Sequence, residues 1–178
     1  MWTRGKVLAD NNTFASKSLI DIPTVDHLLK QKSCNDWYQT VNNKPKLRTY
    51  RTFKYVYNAE EYVRHCYNRK DRSLLAQIRL GILPLNIETG RYINKPVELR
   101  TCDTCQNCVE DEKHFILFCP RYTDLRAILF DNARLKCVTF DDYDADEKSF
   151  FLFNSLWKAL SVYVGEAFSH RQNMLYMN

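Results

Sequence analysis

Residues 102–120 read CDTCQNCVEDEKHFILFCP and bring five potential metal ligands close together: Cys102, Cys105, Cys108, His114 and Cys119. A tetrahedral zinc site takes four ligands, so one of the five is surplus. Cys102-x2-Cys105 has the spacing at which a tight turn aims two sulfurs at one ion while backbone amides hydrogen-bond to them. His114-x4-Cys119 is less regular, because positions five apart on an α-helix stand about 140° out of phase at about 3.6 residues per turn. Pro120 offers relief: it biases Cys119 out of the α region, so the thiolate turns back toward His114. The pattern C-x2-C-x8-H-x4-C therefore predicts a Cys3His site. Every coordination position is filled by protein, which leaves none for an activated water, so the expected zinc is structural. Cys108 creates a competing set of Cys105, Cys108, His114 and Cys119. The set with Cys102 is preferred because Val109, Glu110, Asp111 and Glu112 run straight into the histidine-bearing helix, leaving Cys108 in the loop.

Around this insert the 178 residues have a globular composition, 45% hydrophobic with only four glycines, too few for a barrel or sandwich rich in tight turns. The length suits one domain with a core of its own. The opening MWTRGKVLADNN lacks the apolar stretch of a signal peptide, and no apolar run approaches the ~18 residues of a membrane span. The expectation is an intracellular protein, nuclear or cytoplasmic, whose seven cysteines are thiols or metal ligands rather than disulfides.

Charge is uneven. Residues 44–100 carry thirteen Lys and Arg against five Asp and Glu, whereas residues 101–178 carry eight against twelve. Within KPKLRTYRTFKYVY, basic and aromatic residues interleave. Lys46, Arg48, Arg51 and Lys54 are candidates to meet phosphates, with Tyr50, Phe53 or Tyr55 stacking on unpaired bases; Arg69, Lys70, Arg72, Arg79 and Arg91 extend the basic character. The opposing expectation is that the three aromatics are core and the cations ordinary solvated faces.

Apolar periodicity predicts a mostly α chain. A first helix is expected over about 24–41, capped by Thr24, with Val25, Leu28, Leu29 and Trp37 on one face. A short helix follows Asn58. Another, capped by Asp71, has Leu74, Leu75, Ile78 and Ile82 as its stripe, and Pro84 stops it. LPLNIETGRYINKPVELR has no helical period and two prolines, so an extended loop or short hairpin is expected. YTDLRAILFDNARL reads as a helix with Leu125, Ile128, Leu129 and Leu135 inward, and FDDYDADEK as a solvated acidic loop. The end of the chain reads as one long helix burying Phe150, Phe153, Leu156, Trp157, Leu160 and Val164. The expected organisation is an N-terminal helical segment (1–43), a basic helical segment and loop (44–100), the zinc knuckle (101–122) and C-terminal helices (123–178), packed as one domain.

LPLNIETGRY, RTCDTC and VEDEKHFILFCPRYTDLR together resemble the C-terminal region of the reverse-transcriptase polyproteins of animal non-LTR (LINE-type) retrotransposons. KLRTYRTFK and the stretch from Arg72 to Ala76 are similar to the upstream part of that region, so the resemblance spans roughly 45–175. It implies the ligand set Cys102, Cys105, His114 and Cys119, and Cys108 is a departure from the family pattern. It also implies a role in seating RNA or DNA for a polymerase, with the polymerase portion of a retroelement protein as a partner.

The catalytic parts of a polymerase are not expected here. Two Mg²⁺ ions need palm-domain carboxylates. The adjacent pair Asp141–Asp142 lies in a polar stretch with Thr139 where the polymerase signature has an aromatic residue. An EF-hand reading of Asp142, Asp144 and Asp146 fails as well, with Glu147 at the glycine position and Phe153 at the glutamate position. His27, His65 and His170 are isolated. The expectation is a non-enzymatic nucleic-acid-binding zinc module, and the alternative is a protein-interaction or remnant helical domain that docks on a polymerase or host partner.

Overall fold

The structure is a computed structural model and describes residues 22–175. The chain divides into two compact units, residues 1–36 and 37–178. The described part of the first is the opening of helix α1 (Ile22–Asn43), where Lys30 pairs with Asp26 at 2.6 Å. Thr24 lies inside α1 rather than capping it, and Val25, Leu28 and Leu29 are exposed. The predicted inward stripe is therefore not inward at these three positions.

The second unit is built from short helices around one long one. They are α2 (Tyr50–Phe53), α3 (Glu61–His65), α4 (Arg69–Arg79), α5 (Asn86–Tyr92), α6 (Thr123–Lys136), α7 (Ala145–Ser155) and α8 (Trp157–Leu175). Among the described residues there is no strand, only an isolated antiparallel bridge between Thr101 and Val109. The mostly α expectation with one irregular cysteine-rich insert is met. No helix among the described residues is long and apolar enough to cross a membrane.

Helix α8 is the centre. Leu160, Tyr163, Val164 and Ala167 are buried on the faces it shows to α4 and α6, and the Leu74, Leu75 and Ile78 stripe of α4 is buried as its spacing predicts. Asn68 caps α4, its side chain taking the Lys70 and Asp71 amides, which puts Asp71 in the first turn instead. Ile82 falls beyond the helix end and is exposed. Helix α2 packs on α7 through Phe53, stacked on Phe153 with ring centroids 4.2 Å apart. The chain turns out of α4 at Gly81, whose φ is +65° and where a Cβ would stand 2.6 Å from the Lys46 carbonyl oxygen.

Several expectations need correction. LPLNIETGRYINKPVELR is not an extended loop: it holds α5, whose first two amides donate to the Glu110 side chain (Asn86 N, 2.7 Å) and the Glu110 carbonyl (Ile87 N, 3.1 Å). The cap comes from a residue twenty-four positions away, and no local pattern announces it. The terminal helix is two helices that break at Leu156, with Lys136 donating to the freed Ser155 carbonyl at 2.6 Å. The buried face also differs: Leu152 is buried, while Phe150 is exposed. On α6, Leu129 and Ala133 are buried, but Ile128 and Leu135 are exposed at 61% and 88%. The acidic stretch is ordered rather than loop throughout, with Phe140 fully buried and Asp144 forming a capping box with Glu147 at the start of α7.

Candidate metal centre

Residues 100–110 form a tight reversal. Thr101 and Val109 bridge, the Glu110 amide donates to the Arg100 carbonyl, and the Cys102 amide donates to the Cys108 carbonyl at 2.8 Å. Inside the reversal, the Gln106 amide returns to the Cys102 carbonyl at 2.7 Å, and Gln106 has φ +57°. This left-handed turn on a non-glycine residue holds the two thiols of Cys102 and Cys105 on the same side.

The second ligand pair sits on a π-helical turn, His114–Phe118. Its signature is the Cys119 amide donating to the His114 carbonyl at 2.8 Å, a bond across five residues. The wider turn removes the phase problem of positions five apart and sets Cys119 over His114. Cys119 itself is extended, with ψ 120°, as expected of a residue before Pro120. The carbonyls that the wide turn frees have partners elsewhere. Arg126 from α6 donates to Leu117 O at 2.9 Å and also to Cys119 O, and Tyr163 from α8 donates to Phe115 O at 2.7 Å.

The outcome is a cluster. Ligand atoms of Cys102, Cys105, His114 and Cys119 all lie within 4.8 Å of one another, and Cys102 Sγ and Cys119 Sγ are 3.8 Å apart. A tetrahedron with Zn–S arms of about 2.3 Å has S···S edges of about 3.8 Å. His114 Nε2 is buried with no hydrogen-bond partner, an orphan that a metal ion would satisfy. Burial pushes the Cys119 thiol up to about 12 and the Cys105 thiol upward, and holds the His114 imidazole below its ordinary value. Packed thiols of this kind surrender their protons to a cation, and the neutral imidazole is already in its ligating form. The residues fit a metal ion. Cys108 lies outside the cluster, exposed, its thiol donating to Asn107 Oδ1 at 3.4 Å.

The acidic run ahead of His114 anchors this turn. Glu110 receives Arg171 Nε at 2.9 Å on one oxygen, and Arg171 Nη2 at 2.8 Å on the other, both groups buried. Asp111 accepts the His114 amide at 2.7 Å, and Glu112, fully buried, accepts from Arg48 at 2.7 Å and Thr49 at 2.7 Å.

These pairings revise the list of candidate phosphate contacts. Arg79 is 1% exposed, donating to Phe153 O and to Glu60 under the Phe53 ring, and Lys54 is buried against Glu60 and Asn58. Neither can meet a phosphate, because each charge is already neutralised inside the fold. Lys46 and Arg91 pair with Glu88, Arg48 with Glu112, and Arg51 and Arg72 donate to the carbonyls of Asn42 and Cys66. Among the described residues, Arg69 and Lys70 alone of the nine have exposed side chains without a partner. Phe53 is core, Tyr50 is half-buried with its hydroxyl on Glu60, and Tyr55 is exposed but lies against Phe150 with ring centroids 5.9 Å apart. Asp141 is held by Arg134 at 2.8 Å.

Sequence reasoning missed Arg126, Glu110 and Glu112 as supports of the centre. An arginine or glutamate within an otherwise apolar helical stripe was the available signal, and only Arg126 carries it. Comparison of the chain with family models, with curated proteins and with solved structures finds no match.

Proposed function

We propose that this chain is a zinc-stapled, non-catalytic module that binds nucleic acid, in the manner expected of the retroelement C-terminal region its motifs resemble. The observation that carries the reading is the Cys102, Cys105, His114 and Cys119 cluster. Three thiols and an imidazole gathered within 4.8 Å of one another favour zinc over the harder Mg²⁺ and Ca²⁺. Four protein ligands complete the coordination shell, so the ion would build the domain rather than activate water. The nucleic-acid part is supported by the excess of thirteen cations over five acids in residues 44–100.

The test is metal analysis of purified protein together with a salt titration of RNA binding. One zinc per chain is expected in the wild type and in Cys108→Ser, and its loss in Cys102→Ser. The reverse pattern moves the site to the set that includes Cys108. Binding to single-stranded RNA should weaken steeply with salt as phosphate counterions are released.

A second reading, docking on a protein partner, has its own support. Tyr92, Ile93, Val97 and Leu99 are all exposed in one short stretch ahead of the knuckle, at 70%, 74%, 48% and 56%. Undetectable RNA binding at low salt would favour it.

A further inference from the structure

Of the nine basic positions singled out in the sequence, seven have their charge or donors satisfied internally and two, Arg69 and Lys70, do not. Five residues before Arg69 in the chain stands a third cation of the same kind, Arg64 on α3, exposed and with no hydrogen bond or ion pair among the described residues. Between them in the chain lies Tyr67, 87% exposed, with no hydrogen bond or ring contact among the described residues. Tyr55, Tyr57 and Tyr92 are exposed as well, but the Tyr55 ring lies against Phe150, the Tyr57 ring against Trp37, and the Tyr92 hydroxyl donates to Glu88. A bare tyrosine beside three bare cations is therefore unlike its surroundings.

The acids of the same stretch, Glu61 and Asp71, leave the local balance at three cations to two. The helix N-terminus is not the source of the attraction, since Asn68 already accepts the Lys70 and Asp71 amides. What remains is one exposed π-face and three exposed, long cationic side chains within seven residues of chain. A polyanion whose units carry exposed aromatic faces matches it: a single-stranded polynucleotide, in which bases are free to stack and phosphates recur along the strand. A duplex offers phosphates but keeps its base faces covered.

We propose that Arg64, Tyr67, Arg69 and Lys70 form the polynucleotide contact of this module, with one unpaired base stacked on Tyr67 and neighbouring phosphates held by the three cations. This rests on the nucleic-acid reading above and gives it an address away from the basic–aromatic run 46–55.

The zinc-loaded 178-residue chain is titrated into a fluorescently labelled mixed-sequence single-stranded RNA, and into the same sequence as a duplex, across a range of salt. Tyr67→Ala should weaken single-strand binding about tenfold with an unchanged salt slope, and Tyr67→Phe should retain it. The combined Arg64→Gln, Arg69→Gln, Lys70→Gln variant should flatten the slope by about 2, the value for three phosphates on a single strand. Since these side chains have no internal partners, unchanged zinc content and circular dichroism verify the fold of each variant. If the wild type binds and all variants bind equally well, the contact lies elsewhere and the nucleic-acid reading stands. Equal weakening of single strand and duplex by Tyr67→Ala overturns the stacking. A wild type that does not bind at low salt removes both readings together.

Discussion

Glu88 shows how much of the basic charge is turned inward. It is 3% exposed and takes Lys46 at 2.9 Å, Arg91 at 2.8 Å and the Tyr92 hydroxyl at 3.0 Å. Burial alone would raise its carboxyl, but the hydrogen bonds from Arg91, Lys46 and Tyr92 prevail and bring it down to about 2. A carboxyl depressed in the folded state contributes stability that is fully present above its unfolded value near 4.5 and is lost as pH falls toward 2. Glu88→Gln should therefore remove about 1–3 kcal/mol of stability at neutral pH and flatten the acid limb of unfolding between about pH 4.5 and 2. Chemical denaturation of both proteins across that range reads the difference directly; parallel acid limbs would contradict it. At this scale the sequence displayed the cations but not their partners. Lys46 and Glu88 are forty-two positions apart, and pairing over such distance is set by the folded path of the chain.

Among the elements, the π-helical turn is where local rules and the site disagree most usefully. A regular helix through HFILF would keep standard hydrogen bonds and put Cys119 on the wrong side of His114. The wide turn gives up that regularity, and Arg126 and Tyr163 take the freed carbonyls from two other helices. The sequence signalled the conflict through the x4 spacing and Pro120, without showing how it is resolved. Gly81 is a second such point, legible as a helix stop but not as a close approach. Gly81→Ala would have to adopt φ +65° and meet the Lys46 carbonyl at 2.6 Å. The expected cost is more than about 1 kcal/mol, read as a lower melting temperature. No change in melting temperature would show that the turn can relax away from Lys46.

Across the whole second unit, the metal cluster and the acidic run act as one tie. The knuckle, α5 and the C-terminal part of α8 meet at Glu110, through Asn86 N and Arg171, and the segment before α2 meets it at Glu112 through Arg48 and Thr49. Arg171→Met leaves the Glu110 carboxylate buried without its cation and should destabilise by about 3–5 kcal/mol. Its effect should reach the knuckle, seen as faster zinc release to a chelator than in wild type. On the proposed zinc reading, removal of the ion from the wild type should in turn lower the melting temperature and be reversed by adding zinc back, because the binding energy of a structural zinc, on the order of 10 kcal/mol, is also folding energy. A melting curve unmoved by chelation would separate the cluster from the stability of the domain.

The amino-acid sequence by itself determined the helical class, the stripe of α4 and the run of five candidate ligands within 102–119, since each of these depends on spacing along a few turns of chain. Tertiary structure decided which cations stay free, that α5 is a helix, that the last helix breaks at Leu156 and that Cys108 stands outside the cluster. Each of those outcomes depends on a group many residues away taking a donor, an acceptor or a surface out of water. Such an exchange leaves no period in the sequence.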